Sequence, residues 1–193
     1  MSTPSEFALK LAGIAKEQHT MFHLMDEADP ELCSQIKKYW DDLHLGFTSC
    51  VTVPWSAVFV SWCVKQAGAT SAEFKFAAAH SVFVHKAIEN ARNQTGVFRG
   101  REITAHPPGI GDIIQNNRGG TTHNFAFARD NTNYASHSAI VVELGQDAAG
   151  RFALTIGGNE GNSIRQTIVR LTPEGFIRQR ASNPFICIIE TLK

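Results

Sequence analysis

The sequence predicts an α+β fold in which N-terminal helices pack on a C-terminal, mainly antiparallel β-sheet. Two observations support this prediction. Helix-start signals and helical spacing of apolar residues dominate residues 1–95, whereas short β-rich runs bounded by Gly, Asn or Pro dominate residues 110–193. Helical and strand-forming parts are segregated along the chain, which disfavours alternating βαβ units. No internal repeat or linker divides the 193 residues, so we expect a single domain.

The first two predicted helices each follow a recognisable start signal. The segment TPSE at residues 3–6 introduces a helix over about residues 5–18. A second helix begins at Asp29-Pro30-Glu31, which supplies an N-cap, a proline at the first helical position and an acid in the first turn. Its apolar spacing predicts that it runs to about Leu43.

The third predicted helix covers residues 55–67 and is apolar on nearly every side, so we expect it to be central. Pro54 ends the extended approach to it, and Gly68 closes it at a position that favours glycine. A fourth helix is predicted over residues 77–92, where apolar residues again recur at helical spacing.

Five short strands are predicted in the second half of the chain. They cover residues 112–114, 138–144, 152–156, 164–171 and 185–191. Between the first two lies a polar loop, residues 115–136, that is rich in Gly and Asn and ends directly at His137. Loops of this length are uncommon in compact domains unless they are functional or disordered.

Composition and charge exclude several classes of partner. With 43% hydrophobic and 19% charged residues, the chain has the balance of a folded soluble protein. Lys plus Arg equal Asp plus Glu at 18 each, so a net charge of zero disfavours nucleic acid and anionic membrane surfaces as ligands. The longest apolar runs fall short of the roughly 20 residues of a membrane helix, so no membrane insertion is expected.

The N-terminal segment and the cysteines give two further expectations. Lys10 and Lys16 interrupt the apolar pattern of the N-terminus, so we predict cytoplasmic synthesis without a conventional signal peptide. The four cysteines are too few and too scattered for a disulfide scaffold, and none forms a C-x-x-C pair. We therefore expect them to be small buried hydrophobic residues.

Four short motifs follow one another in an informative order. They are PWSAVF at residues 54–59, GIGDII at 109–114, SHSAIVV at 136–142 and IGGN at 156–159. Their order resembles that of papain-like peptidoglycan amidases and peptidases of the CHAP and NlpC type. Together with the A-H-S at residues 79–81, they look closest to a largely uncharacterised bacterial branch that includes effectors of the type VI secretion system. The resemblance covers roughly residues 53–159.

This resemblance implies a papain-like fold that hydrolyses amide bonds in peptidoglycan peptides, with Ser56, His137 and Asn159 as catalytic residues and no metal or organic cofactor. The substrate lies outside the cytoplasm, whereas no signal peptide is expected. Delivery by a dedicated secretion machine into the periplasm of a target cell would reconcile the two, and a cognate immunity protein would then be a partner.

The chemistry of the arrangement can be derived from the residues themselves. Ser56 would lie in the first turn of a helix, where unpaired N–H groups favour negative charge on a nucleophile and on an oxyanion. His137 shares a strand face with the small residues Ala139 and Val141, so we expect that face to contact the central helix and aim His137 at Ser56 as general base and then acid. Asn159 could accept a hydrogen bond from the far imidazole nitrogen.

Ser56 stands where most of the resembling proteins have cysteine, and a hydroxyl depends on its general base more than a thiol does. Three explanations remain open: a serine hydrolase, an inactive module that binds cell wall or a protein partner, and an engineered replacement of cysteine by serine. Cys63 lies two helical turns too deep to substitute for the nucleophile, and Cys50 could approach only through a loop reversal.

Five further residues are candidates for substrate binding. Trp55, next to Ser56, would form one wall of the cleft, and His80 would line the cleft or be a buried histidine. Asp112 would organise a turn or contact the substrate, whereas His123 and Tyr134 would belong to a lid or pack back onto the body.

A third kind of function, metal-dependent hydrolysis, would use His80, His123, His137 and Asp112 as ligands.

Overall fold

The computed structural model describes residues 3–193 and has the predicted α+β architecture, with four N-terminal helices and an antiparallel sheet. The N-terminal helices are α1 (Glu6–Phe22), α2 (Pro30–Asp42), α3 (Ser56–Ala67) and α4 (His80–Arg92). The strands are β1 (Phe98–Arg101), β2 (Ile113–Asn117), β3 (Ser136–Asp147), β4 (Gly150–Glu160), β5 (Ser163–Arg170) and β6 (Phe185–Thr191). They form one sheet in the order β1-β6-β2-β3-β4-β5, with every neighbouring pair antiparallel.

Two elements were not predicted from the sequence. Strand β1 is a four-residue edge strand that pairs with β6, and its arginines hide the apolar alternation. Gly100 lets this strand approach α4, because a Cβ there would lie 2.5 Å from Cγ1 of Ile88. The second element is a short helix, α5 (Phe125–Asp130), inside the long polar loop, where the Asn124 side chain accepts from the N–H of Phe127 at 2.9 Å.

Helix α3 is buried along nearly its whole length, as its apolar sequence predicts. It contacts α1 and α2 as well as β3 and β4, which explains why it has no polar face. The helix ends at Gly68, whose φ of 111° is a left-handed conformation that a side chain would strain. The start of α3 is thereby fixed from several directions, which matters for Ser56.

The sheet has two apolar faces with different covers. Ile140, Val142 and Ile156 belong to the main core with α1 and α3. On the opposite face, Ile114 and Val141 belong to a second cluster, which residues from the segments 102–112 and 171–184 help to cover. Alternate residues of β3 therefore point to different layers, as the period of two requires.

The cysteine prediction is wrong for two of the four residues. Cys33 on α2 and Cys50, in the connection to α3, form a disulfide with 5.4 Å between their Cα atoms. Cys63 and Cys187 are free and buried, as predicted. The bond joins residues 17 positions apart, a pairing that the sequence spacing does not reveal.

Across residues 3–193, no helix combines the length and apolar composition that a membrane span requires.

Candidate functional site

Two helices begin side by side and bring a serine into contact with a histidine. Ser56 is the first residue of α3 and His80 is the first residue of α4. Ser56 Oγ lies 2.7 Å from Nε2 of His80, which is hydrogen-bond distance. Both residues are buried, with only 2% and 6% of their surface exposed. The sequence therefore brings together a hydroxyl and an imidazole in the geometry that proton transfer requires.

The surroundings of His80 keep its imidazole uncharged. Burial is the largest cause that lowers the pKa of His80 well below its usual 6.5, followed by the nearby charges of His137 and Arg118. Its Nδ1 is buried and has no hydrogen-bond partner among the described residues. In the tautomer that carries the proton on Nδ1, Nε2 can accept the hydrogen of Ser56.

The first turn of α3, where Ser56 lies, also has backbone donors without acceptors inside the helix. The first hydrogen bond within α3 runs from the N–H of Phe59 to the carbonyl of Trp55, at 2.9 Å. The preceding N–H groups of the first turn have no acceptor within the helix. Trp55 is the N-cap residue and gives no side-chain cap, so these donors remain available to negative charge at Ser56.

A second histidine lies next to this pair with a different partner. His137, near the start of β3, has its Nε2 at 2.8 Å from Oε1 of Glu160, the last residue of β4. The other oxygen of Glu160 accepts from Thr167 Oγ1 at 2.9 Å. The rings of His137 and His80 meet edge to face, with 5.4 Å between their centroids. Residues of β3, β4 and β5 thus lie close to the starts of α3 and α4.

Two adjacent glycines of β4 make room for this arrangement. A Cβ on Gly157 would lie 2.1 Å from Oε1 of Glu160 and 2.8 Å from Nε2 of His137. A Cβ on Gly158, which faces the other side of the strand, would lie 2.6 Å from Cζ3 of Trp55 and 2.7 Å from Cβ of Phe59. One glycine therefore accommodates the histidine–carboxylate pair and the other lets the start of α3 approach the strand.

The prediction that His137 pairs with Ser56 is not met, because His137 bonds to Glu160 and Ser56 bonds to His80. The structure confirms that His137 and Ala139 share a face, but they line a small cavity of about 20 Å³ with residues of the second apolar cluster. Helix α3 packs instead on the face of Ile140 and Val142. The predicted packing of α3 against Ala139 and Val141 is therefore wrong, and His80 occupies the position beside Ser56.

The predicted contact between Asn159 and His137 is replaced by two other pairings. Asn159 donates from Nδ2 to Oε2 of Glu27 at 2.6 Å, and the same oxygen accepts the indole N–H of Trp55 at 2.8 Å. Asn159 has a φ of 57° at a bulge in the pairing of β4 with β5. A bulge redirects side chains, so Asn159 turns to Glu27 while the next residue, Glu160, meets His137.

The other predicted binding residues have structural partners. Trp55 has no exposed surface and therefore forms no wall of an open cleft. Asp112 accepts from the N–H of Gly109 at 2.8 Å and of Thr191 at 2.9 Å, and it lies 3.1 Å from Nε2 of His106. These contacts make Asp112 the organiser of its turn, which was one of the two predicted roles.

The aromatic residues of the long loop pack on one another. His123 stacks on Phe127 with 3.8 Å between ring centroids, and Tyr134 meets both rings edge to face. The Tyr134 hydroxyl contacts the Gln115 amide, and burial raises the pKa of Tyr134 to about 12. Within residues 3–193, no three His, Cys, Asp or Glu side chains are grouped so that they could hold a metal, and the set required for metal-dependent hydrolysis is not assembled.

Two carboxylates of the site were missed by sequence reasoning. Glu160 directly follows Asn159, and only the bulge decides which of the two side chains reaches His137. Glu27 lies in the connection between α1 and α2, far in sequence from its partners Trp55 and Asn159. The IGGN motif indicated the right strand end, whereas no local signal indicated Glu27.

Comparison with known proteins identifies a family. A family model described as "Uncharacterized protein conserved in bacteria (DUF2272)" matches residues 25–186, which include every residue of the site described above. No curated protein and no solved structure matches the chain.

Proposed function

The chain belongs to the DUF2272 family, and we propose that it is a hydrolase that cleaves amide bonds of peptidoglycan peptides with Ser56 as its nucleophile. The observation that carries this proposal is the 2.7 Å contact between Ser56 Oγ and Nε2 of His80 at the start of α3. A nucleophile, a base within hydrogen-bond reach and backbone donors for an oxyanion are the three parts that acyl transfer requires.

In this reaction His80 takes the proton of Ser56 while the oxygen attacks the substrate carbonyl. The lowered pKa of His80 keeps the ring neutral near pH 7, so it is available as an acceptor, and it returns the proton readily afterwards. The N–H groups of the first turn of α3 stabilise the oxyanion, a contribution worth roughly 3 kcal/mol for one such donor in other hydrolases.

The substrate class rests on the order of the four motifs, which resembles that of papain-like peptidoglycan amidases and peptidases. The zero net charge agrees with a peptide ligand better than with a polyanion. We extend the proposal to a papain-like antibacterial effector that a secretion machine delivers to the periplasm of a target cell, with an immunity protein as partner. The disulfide between Cys33 and Cys50 supports an oxidising site of action, because such bonds persist outside the cytoplasm.

Entry of a peptide requires the surroundings of Ser56 to move, because the serine and its base are almost fully buried. The segment 118–135 is the candidate for this movement. Ser81, the neighbour of His80, donates to the carbonyl of Thr132 in this segment at 2.7 Å. At its other end, Asn117 bonds to the N–H and carbonyl of His123. On α4 itself, Nδ1 of His85 also lies 3.4 Å from the carbonyl of Ala128, so polar contacts at Ser81 and His85 hold the segment against this helix.

The alternative is an inactive papain-like module that binds cell wall or a protein partner. The same burial favours it, since a serine with 2% exposure meets no substrate in this conformation. Digestion of purified sacculi by the wild type, Ser56→Ala, Ser56→Cys and His80→Ala, with chromatographic separation of the products, discriminates between the two. We expect muropeptide release by the wild type and none by Ser56→Ala.

Release by the wild type and by Ser56→Ala alike would contradict the role of Ser56. Sedimentation of the wild type with sacculi without any release would favour the binding module, and activity of Ser56→Cys alone would identify a lost nucleophile. His106→Ala is the matched control, because His106 also pairs with a carboxylate but lies at Asp112.

A further inference from the structure

We propose that Glu27 is a positioning residue of the Ser56 site, because its carboxylate holds together two chain segments that shape this site. The inference rests on the proposed hydrolase function and adds a residue to its machinery. One oxygen of Glu27, Oε2, accepts from the indole N–H of Trp55 at 2.8 Å and from the amide of Asn159 at 2.6 Å. Trp55 directly precedes Ser56, and Asn159 is the last residue of the IGGN motif in β4.

The carboxylate of Glu27 makes both contacts inside the protein, since only 4% of this residue is exposed. Burying a carboxylate costs free energy unless hydrogen bonds replace its contacts with water. Hydrogen bonds to a carboxylate are also shorter and roughly twice as strong as those between neutral groups. The indole and the amide that donate to Glu27 are therefore held more firmly than neutral contacts would hold them.

The backbone at Glu27 is fixed independently of its side chain. The N–H of Glu27 donates to the carbonyl of Asn162 at 2.7 Å. Ser163 Oγ donates to the carbonyl of Met25 at 2.6 Å. The connection between α1 and α2 is thus bonded to the turn between β4 and β5. A substitution of the Glu27 side chain should therefore remove the two contacts of Oε2 and leave this connection in place.

The contact with Trp55 fixes the start of α3. Trp55 is the N-cap residue of this helix, and its carbonyl accepts the first helical hydrogen bond, from Phe59, at 2.9 Å. Its ring is fully buried against Gly158, where a Cβ would lie 2.6 Å from Cζ3 of the ring. Both the backbone and the ring of Trp55 therefore orient the peptide that leads to Ser56. The N–H groups that would stabilise the oxyanion begin at this peptide.

The contact with Asn159 fixes the bulge at the end of β4. Asn159 has a φ of 57°, a left-handed conformation that residues with a side chain rarely adopt. Its hydrogen bond to Glu27 stabilises this conformation, which leaves Glu160 to meet His137. One carboxylate therefore fixes both where α3 begins and how the neighbouring strand ends.

Reaction at Ser56 depends on the position of this helix start. The 2.7 Å contact between Ser56 Oγ and Nε2 of His80 joins the starts of two separate helices, so a shift of α3 would lengthen it. A displacement of about 1 Å in a reacting group can lower a rate about 100-fold. The side-chain hydrogen bonds of Glu27 run to Trp55 and Asn159, so Glu27 acts on Ser56 through Trp55.

A matched control lies further along the same helix. Trp62 donates its indole N–H to Oδ2 of Asp42 at 2.7 Å, so it is a second tryptophan of α3 that a carboxylate holds. Asp42 is the last residue of α2, and Trp62 lies in the second half of α3. Removal of this carboxylate should lower stability without moving the start of α3.

The test compares a substitution that keeps an acceptor with one that removes it. Glutamine retains an oxygen that can accept both hydrogen bonds, whereas methionine has a similar shape and only a weak acceptor. Phosphonylation of Ser56 by a fluorophosphonate, which expels fluoride, reports the reactivity of the serine. For Glu27→Met we expect the maximal rate to fall about 30-fold, with the half-saturating concentration of the reagent unchanged.

The other variants should retain most of the reactivity. Glu27→Gln should stay within about threefold of the wild-type rate, because both hydrogen bonds can still form. Asp42→Leu should be labelled at the wild-type rate although it is less stable. Rates are compared where circular dichroism shows every variant to be folded. If Glu27→Met does not fold, Trp55→Phe removes the same indole hydrogen bond from the other side and should slow labelling about tenfold.

Labelling of folded Glu27→Met at the wild-type rate would overturn the positioning role, since a merely structural residue affects stability alone. Equal slowing by Glu27→Gln and Glu27→Met would also overturn it, as would equal slowing by Asp42→Leu. Failure of the hydrolase proposal is seen separately, as a wild type that is not labelled at Ser56, and it would remove the positioning role with it.

Discussion

Two histidine–carboxylate pairs are hydrogen-bonded within residues 3–193, and their contrast indicates which one belongs to a reactive site. His106 and Asp112 are 3.1 Å apart, and His137 and Glu160 are 2.8 Å apart. Asp112 is saturated by backbone donors from Gly109 and Thr191, so its charge holds a turn and a strand end.

Among the residues that the structure describes, Glu160 accepts from the side chains of His137 and Thr167, and its histidine adjoins the buried pair of Ser56 and His80. A histidine next to a carboxylate is therefore weak evidence for chemistry by itself. What distinguishes the two pairs is whether backbone N–H groups already occupy the carboxylate and whether a nucleophile at a helix start lies nearby.

The largest expected difference is between replacing His80, beside Ser56, and replacing His106, beside Asp112. Without the imidazole, Ser56 has no proton acceptor, and phosphonylation of Ser56 should slow about 1,000-fold. The equivalent change at the other pair, His106→Ala, should leave the rate unchanged, because the carboxylates that pair with His106 are those of Asp112 and Glu190 and not the partners of Ser56. The rates are measured by mass spectrometry of the intact protein; equal slowing by both variants would remove the distinction.

Stability should depend more on the His106–Asp112 pair than on the His137–Glu160 pair, which is the opposite of the order expected for reactivity. Asp112→Ala leaves two backbone N–H groups and His106 without their acceptor, so we expect a loss of about 3 kcal/mol in the free energy of unfolding. Glu160→Ala should cost about 1 kcal/mol, because its partners are side chains at a partly exposed site. Urea unfolding of both variants gives these values, and a more damaging Glu160→Ala would contradict the account.

The pH dependence of stability offers a smaller test, directed at His80. Its folded pKa is lowered by burial, His137 and Arg118, so below pH 6.5 the unfolded chain binds a proton that the folded chain does not. The free energy of unfolding is therefore fully retained above pH 6.5 and decreases as the pH falls below 6.5, by up to about 1.4 kcal/mol per pH unit.

His80→Gln removes this group, so the difference between wild type and variant isolates its contribution from those of Ser56, Phe83, His137 and Arg118, which face it. A difference that does not change between pH 7 and pH 5 would contradict the buried neutral state.

The smallest predicted effect concerns the access of reagents to Ser56 and His80. Ser81→Ala removes the hydrogen bond to Thr132 and should raise the rate of Ser56 phosphonylation about fivefold, the equivalent of roughly 1 kcal/mol in loop opening. Ser34→Ala is the matched control, because Ser34 also donates to a carbonyl at 2.7 Å, but on the exposed side of α2. An equal response of both variants would exclude the 118–135 segment as the barrier to entry.

Local signals in the sequence were sufficient for most of the fold. Pro30, Pro54 and Gly68 mark helix boundaries that the structure confirms, because proline and glycine restrict the backbone wherever they occur. Strand β1 and helix α5 escaped prediction, since each is too short to show a periodic pattern.

The members of the site were predictable, but their pairings were not. Ser56, His80 and His137 were all singled out, yet a bulge at the end of β4 exchanges the expected partner Asn159 for Glu160. Glu27 and the disulfide between Cys33 and Cys50 depend on contacts between distant segments, which no local pattern encodes. Which residues of the site contact one another could therefore be learned only from the three-dimensional structure.

Whether Ser56 is a reactive nucleophile is tested by fluorophosphonate labelling of the wild-type protein, followed by mass spectrometric mapping of the modified residue. We expect a single label on Ser56, which is absent from Ser56→Ala and strongly slowed in His80→Ala while His106→Ala labels normally. A label on another residue, or no label on the folded wild-type protein, would contradict the claim that Ser56 and His80 form a reactive pair.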